Sequence, residues 1–306
     1  MVNLVRQDQL GQRLLAITAL FVAAATTDLI AADSRLADKP IAQVAQIKKI
    51  KVAAGAFRVG CSMGDNRCDS DEGPLGGIAV EVPAFLIDAQ ETSVAQYRAC
   101  VEAGQCQRPF DYRRSHYCNY DAPQRHNYPV NCVNWHQAQA YCSWRGARLA
   151  YEVEWEKAAR GGTREAHFWG NSPANCQRAV MDPGKPGDSD SETDGCWRDL
   201  SWPGNSFPAN PIGMYDAIGG TSEWVMDWYA RDVHQSHFAQ GHLRGPTKGT
   251  RKTIKGGSWD EKSGAQRVSN RFSKPQRGNP DLYGSNGIRC VTELPGSLSA
   301  QPPATY

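Results

Sequence analysis

The segment DAIGGTSEW (216–224) sets two carboxylates, Asp216 and Glu223, on either side of a double glycine. Backbone carbonyls at Gly219 and Thr221 lie between them. The stretch therefore offers hard oxygen ligands, of which calcium collects about six to eight. Glycine at 219 and 220 lets the backbone turn its carbonyls inward without a Cβ in the way. A second group follows in GGSWDEKSGAQR (256–267), where Ser258, Trp259, Glu261 and Arg267 are candidates to line a pocket. A serine close to a glutamate invites a nucleophile reading. The G-x-S-x-G elbow is absent, however, and no histidine is tied to Ser258 by spacing. A structural turn with Trp259 packed beneath it is the simpler expectation. No CxxC…CxxC or HExxH pattern occurs, so a zinc site is not expected. His116 and His126 flank cysteines in a loop, where a solvated role is expected.

These residues need elements to position them. FRVGC (57–61) and the run IAVEVPAFLID (78–88) alternate apolar with other residues and read as strands. The segment 91–104 reads as a helix, with Val94, Tyr97, Cys100 and Val101 at helical spacing and Gly104 as the stop. A second helix spans 134–146, and a third, short one spans 152–160 and closes on Gly161-Gly162. From 163 to 215, Gly, Pro, Asp and Ser recur every few residues and leave no room for long regular elements. A structureless stretch of that size inside a compact domain needs an external tie, such as a bound metal or a disulfide.

Composition narrows the class. The chain has 306 residues, with 34 Lys+Arg against 32 Asp+Glu, a balance that gives no reason to expect a nucleic acid or an acidic membrane as partner. The first residues read as a secretory signal: Arg6 and Arg13 precede LLAITALFVAAA (14–25), an apolar run too short to span a bilayer. Cleavage is expected after Ala25 or, less well matched, Ala32, which leaves a periplasmic or secreted protein with no membrane attachment. The domain boundaries follow as signal peptide 1–25, linker 26–49, one domain 50–294 and a Pro/Ser-rich disordered tail 295–306. Ten cysteines, an even number, suit a disulfide framework in an oxidising compartment. Short spacings suggest Cys61–Cys68, Cys100–Cys106 and Cys118–Cys132, although spacing alone leaves the connectivity open.

The motifs YPVNCVNWHQAQAYCSWRGARL (128–149), EVEWEKAARGG (152–162), FWG (168–170), GMYDAIGGTSEW (213–224), KGGSW (255–259) and GIRC (287–290) together resemble the formylglycine-generating-enzyme (sulfatase-modifying factor) domain family. The resemblance covers about residues 50–293. It implies an α+β, C-type-lectin-like fold, loop-rich, disulfide-stapled and calcium-bound. It implies calcium ligands at Asp216, Gly219, Thr221 and Glu223. A second calcium set follows at Asn175 and Asp194 through side chains and at Cys176 and Cys196 through carbonyls. It also implies a Cys142–Cys290 bridge, which leaves Cys176 and Cys196 as the remaining pair. Closing the long 142–290 loop stabilises by about 4–5 kcal/mol in the chain-entropy model. Glu91 matches an acid of the family's E-V-T-N segment and is expected to brace the fold. Arg148, Glu152, Glu154, Trp155 and Arg160 match its RLPTEAEWE element and are expected to form a buried ion-pair and packing network.

One departure bears on activity. The family's oxidases bind copper(I) through two cysteines just after GGS, and the aligned positions here hold Glu261 and Gln266. A carboxylate and an amide are poor ligands for a soft ion, so copper is not expected. The resemblance then implies a binding or maturation module whose groove near Ser258, Trp259 and Arg267 takes a peptide or secondary metabolite. The rival readings are an oxidoreductase with an altered metal centre through Glu261, and a purely structural envelope protein.

Overall fold

The computed structural model describes residues 47–110, 116–184, 193–277 and 284–295. The expected signal peptide at 1–25, almost all of the expected linker and residues 296–306 of the expected tail lie outside them. The body that contains the described residues begins at Ile47.

Three small sheets carry the fold. The first has strand order β1-β4-β10-β5, from β1 (Lys49–Val52), β4 (Phe85–Asp88), β10 (Cys290–Thr292) and β5 (Arg148–Leu149). The second is the hairpin of β2 (Gly55–Val59) with β3 (Ile78–Val82). The third has order β8-β7-β6-β9, from β6 (Ser222–Trp228), β7 (Arg251–Lys255), β8 (Phe272–Pro275) and β9 (Asn286–Gly287). The run 78–88, read as one strand, is two. Pro83 has no N–H for the ladder, and there the chain leaves the hairpin and enters the first sheet.

The helices follow their sequence signals closely. α1 (Val94–Glu102) starts later than the expected 91 because Ser93 caps it, and Gln96 completes the capping box. α2 (Trp135–Trp144) is capped by Asn134 and Gln137 in the same way. α3 (Glu152–Arg160) matches its expected bounds and ends on left-handed Gly161. The result is a mixed α/β fold with little helix and much loop. Its five disulfides join Cys61–Cys68, Cys100–Cys106, Cys118–Cys132, Cys142–Cys290 and Cys176–Cys196. All ten cysteines are thereby bridged and none is free, which suits an oxidising compartment. Among the described residues no helix is long and apolar enough to cross a membrane.

α3 sits at the centre of the packing. Trp155 and Val153 lie in one core cluster with Phe85, Ile87 and Val225, while Tyr97, Tyr141, Trp224 and Ile288 form a second. The expected ion-pair network is present and buried. Arg148 makes a two-pronged bond to Glu154 at 2.7 and 2.8 Å. Glu152 is gripped by Arg271 at 2.5 and 3.0 Å, and Glu156 accepts from Arg160 and from Lys255. Burial alone would raise the Glu152 carboxyl, yet Arg271 and Lys255 pull it down to about 2.

Candidate functional site

The turn at 216–221 leads into β6. Gly219 and Gly220 take left-handed φ of 76° and 72°, which only glycine adopts freely, and Asp216 shares that region at φ 50°. Glu223, fully buried, accepts from Arg289 at 2.7 to 2.9 Å and from Trp155 Nε1 at 2.6 Å. Asp216 Oδ2 accepts from Asn205 N–H at 2.7 Å. Among the described residues no N–H reaches the carbonyls of Gly219 and Thr221.

Glu91 is the third acid at this turn. Its Oε1 accepts from the N–H of Thr221 at 2.8 Å and from the Thr221 hydroxyl. Burial, then Asp216 and Glu223, push its carboxyl well above the usual range, against the pull of Arg289. Asp216 is raised as well, chiefly by burial. Three carboxylates thus share one guanidinium, an excess of buried negative charge that a hard cation would relieve. Among the described residues no three His, Cys, Asp or Glu side chains converge on one point as a metal cage. A cation here would therefore draw on the free carbonyls as well, as the sequence spacing implies.

The second set is held on an unusual turn. Gly195, Cys196 and Trp197 take φ of 56°, 54° and 69° in succession. A Cβ on Gly195 would stand 2.1 Å from the Leu200 carbonyl, so the position admits only glycine. The turn is fixed by the Cys176–Cys196 bridge, by Gly195 N–H to Trp259 O at 2.7 Å and by Cys196 N–H to Met181 O at 2.8 Å. Asp194 is lifted to about 7 by burial and by Asp182, Asp260 and Asp199, with Lys262 opposing. Asn175 is exposed and caps its own turn, accepting from Gln177 N–H at 3.0 Å. The bridge brings both candidate carbonyl residues together, while Asn175 would have to turn its side chain to join them.

The GGSW segment forms a shelf against this turn. Ser258 is buried and donates to Asp260 Oδ1 at 2.5 Å, with no histidine among its partners, so no base activates it. Trp259 is 3% exposed and its ring meets Tyr117 at 5.6 Å, while its Nε1 has no partner. Gln266 Nε2 ties the loop by donating to Ser258 O and Glu261 O at 2.7 and 3.0 Å. Burial and Asp260 lift the Glu261 carboxyl to about 8, against Lys274 and Ser258, and its Oε2 has no partner. Lys274 in turn donates to Asn286 Oδ1 at 2.7 Å.

Arg267 does not belong to the shelf. It is 1% exposed and makes a two-pronged pair with Glu72 plus a contact to Asp65 at 3.1 Å. Its guanidinium is consumed in pinning the 65–72 loop and cannot face a ligand, which corrects the sequence expectation. His116 is not merely solvated, since its Nε2 lies 2.5 Å from Asp199. Asp182, Lys274 and Asn286 were missed from sequence because β8, β9 and the 182 bridge deliver them from afar. Asp260 was within reach, being the residue beside Glu261.

The model of the sulfatase-modifying factor enzyme 1-like domain matches residues 37–294. The chain belongs to the formylglycine-generating-enzyme family. It is 37% identical over 174 residues to the formylglycine-generating enzyme of Mus musculus, covering 55% of this chain and 45% of that one. To the enzyme of Thermomonospora curvata it is 31% identical over 251 residues, covering 69% of this chain and 82% of that one. The chain thus spans less than half of the mouse relative and most of the bacterial one. The solved structure of PvdO from Pseudomonas aeruginosa superposes with a TM-score of 0.63 at 23% identity, over 80% of this chain and 94% of that one. That likeness concerns the fold.

Copper does not fit this member of the family. With all ten cysteines bridged, no thiolate is available, and the aligned positions present the carboxyl of Glu261 and the amide of Gln266.

Proposed function

We propose that this protein is an exported binding or maturation module of the formylglycine-generating-enzyme family, with a C-type-lectin-like, calcium-bound domain and no copper oxidase activity. The observation that carries this reading is the engagement of all ten cysteines in disulfides. Asp216, Glu223 and the carbonyls of Gly219 and Thr221 would hold one calcium ion. Asp194, Asn175 and the carbonyls of Cys176 and Cys196 would hold the other. Bound calcium would neutralise the excess of carboxylate at the turns and so stiffen the loops that frame the shelf. The region around Ser258, Trp259 and Glu261 would then take a peptide or secondary metabolite, and a ligand that reached the buried, unpartnered Trp259 N–H and Glu261 carboxyl would find hydrogen-bond partners in both.

The test is aerobic incubation of purified protein and copper with a CxPxR peptide, read by mass spectrometry, alongside metal analysis. Unchanged peptide and calcium alone support the proposal, whereas an aldehyde on the peptide would sink it. A redox metal in equal amount to protein would select an oxidoreductase with an altered centre, for which Asp260 and Glu261 supply hard oxygen donors.

A further inference from the structure

A strand edge far from the shelf in sequence has the features of a docking surface. Among the described residues β2 has a single strand partner, β3. Lys157 Nζ donates to Gly55 O at 2.7 Å and to Val82 O at 3.3 Å, and these two residues face each other across the hairpin. One ammonium reaches both carbonyls only if both point into the gap between the strands, so Gly55 and Val82 form a closely hydrogen-bonded pair. Alternation then turns the N–H and C=O of Ala56 and Arg58 outward. Among the described residues no other group bonds to those backbone atoms.

The edge opens on a groove of about 640 Å³ between residues 51–58 and 160–164. Sharing Arg58, Arg160, Thr163 and Arg164, a second hollow of about 650 Å³ extends it toward Met63 and Leu75. The first groove is lined by Lys51, Arg58, Lys157, Arg160 and Arg164 and by no carboxylate. Arg160 is answered from below by Glu156, and Glu81 acts on Lys157 from the hairpin's outer face. Lys51 and Arg164 are exposed and make no ion pair among the described residues. In the second hollow the one acid is Glu165, which accepts from Asn171 at 2.5 Å. Met63 and Leu75, at its end, are 62% and 61% exposed, two of the three large apolar side chains left in solvent among the described residues.

We infer that this edge accepts an extended acidic peptide as an added strand. Its main chain bonds to Ala56 and Arg58, its carboxylates meet Lys51 and Arg164, and an apolar side chain covers Met63 and Leu75. Edge cations also serve elsewhere to keep neighbouring strands away, and the experiment separates the two roles. The inference stands apart from the reading of the shelf, and either can fail alone.

Fluorescence anisotropy with a labelled alternating Glu–Val peptide tests it on the full chain. Saturable binding is expected, with none for an alternating Lys–Val peptide. Combining K51E with R164E should weaken binding by about tenfold or more, without changing the melting temperature, because both side chains are exposed. Methylating alternate backbone amides of the peptide should weaken it comparably. Failure of the Glu–Val peptide to bind overturns the inference, as does binding indifferent to amide methylation or to the charge reversals.

Discussion

The acids of α3 are fully buried, those of the two glycine turns range from buried (Glu91, Glu223) to half-buried (Asp216, Asp194), and the two groups behave in opposite ways. Glu152, Glu154 and Glu156 each meet an arginine, and the pairs hold the Glu152 carboxyl down at about 2. At the turns the acids meet mostly other acids, Glu91 facing Asp216 and Glu223 and Asp194 facing Asp182, Asp260 and Asp199, and Glu91, Asp216 and Asp194 are all raised. Burial makes a lone charge costly in both places. Around α3 the chain supplies the counter-charge itself. At the turns it leaves the deficit open, and the physical demand there is for a cation from outside.

The sharpest way to break this contrast is Glu152→Ala. Arg271 would stay buried without its partner, and stability measured by urea denaturation should fall by about 3–5 kcal/mol. A loss under about 1 kcal/mol would mean the helix network is not the internally balanced one. Next in size is the response to calcium. With calcium at about a thousand times its dissociation constant, the folded state gains about 4 kcal/mol, so the melting temperature should rise on addition and drop with chelator. An unmoved melting temperature would remove the cation from the turns.

Glu91→Gln sharpens the comparison at a smaller scale. Gln keeps an oxygen for the Thr221 N–H while removing a titrating group that burial and two acids oppose. In calcium-free protein it should change stability by no more than about 1 kcal/mol, unlike any substitution of Glu152. A further contrast is a slope with pH. Glu261 is raised to about 8 from an ordinary 4.5, so the folded state holds its proton more tightly than the unfolded one. Its contribution is at its best below about pH 4.5 and is lost as pH rises through about 8. Glu152 runs the other way, being fully stabilising above about 4.5 and losing that as pH falls through about 2. The urea midpoint of Glu261→Gln should therefore fall less between pH 5 and pH 8 than that of the parent. Parallel curves would contradict the assignment.

Much of the scaffold was legible because its signals are local. Ser93 with Gln96 and Asn134 with Gln137 announce helix starts, and Gly161 announces a stop. The break at Pro83 was readable in principle, since proline interrupts a ladder, but continuous apolar alternation hid it. The candidate site was legible only in part. Ser258, Trp259 and Glu261 are neighbours in sequence, whereas Lys274 and Asn286 arrive from other strands. Arg267 misled because a charged side chain near a motif carries no sign of which way it points, and here Glu72, far back in the chain, claims it.

Sequence by itself determined the family, the presence of the three helices and the lack of cysteine at positions 261 and 266, and it suggested the three short-range bridges, because each depends on residue identity or short spacing. Tertiary structure alone decided which acids are balanced and which are not, because that depends on distances across the fold: Arg271 reaches Glu152 over 119 positions and Arg289 reaches Glu223 over 66. A charge is paired or orphaned by what the folded chain carries to within a few ångströms of it, and no local pattern encodes that.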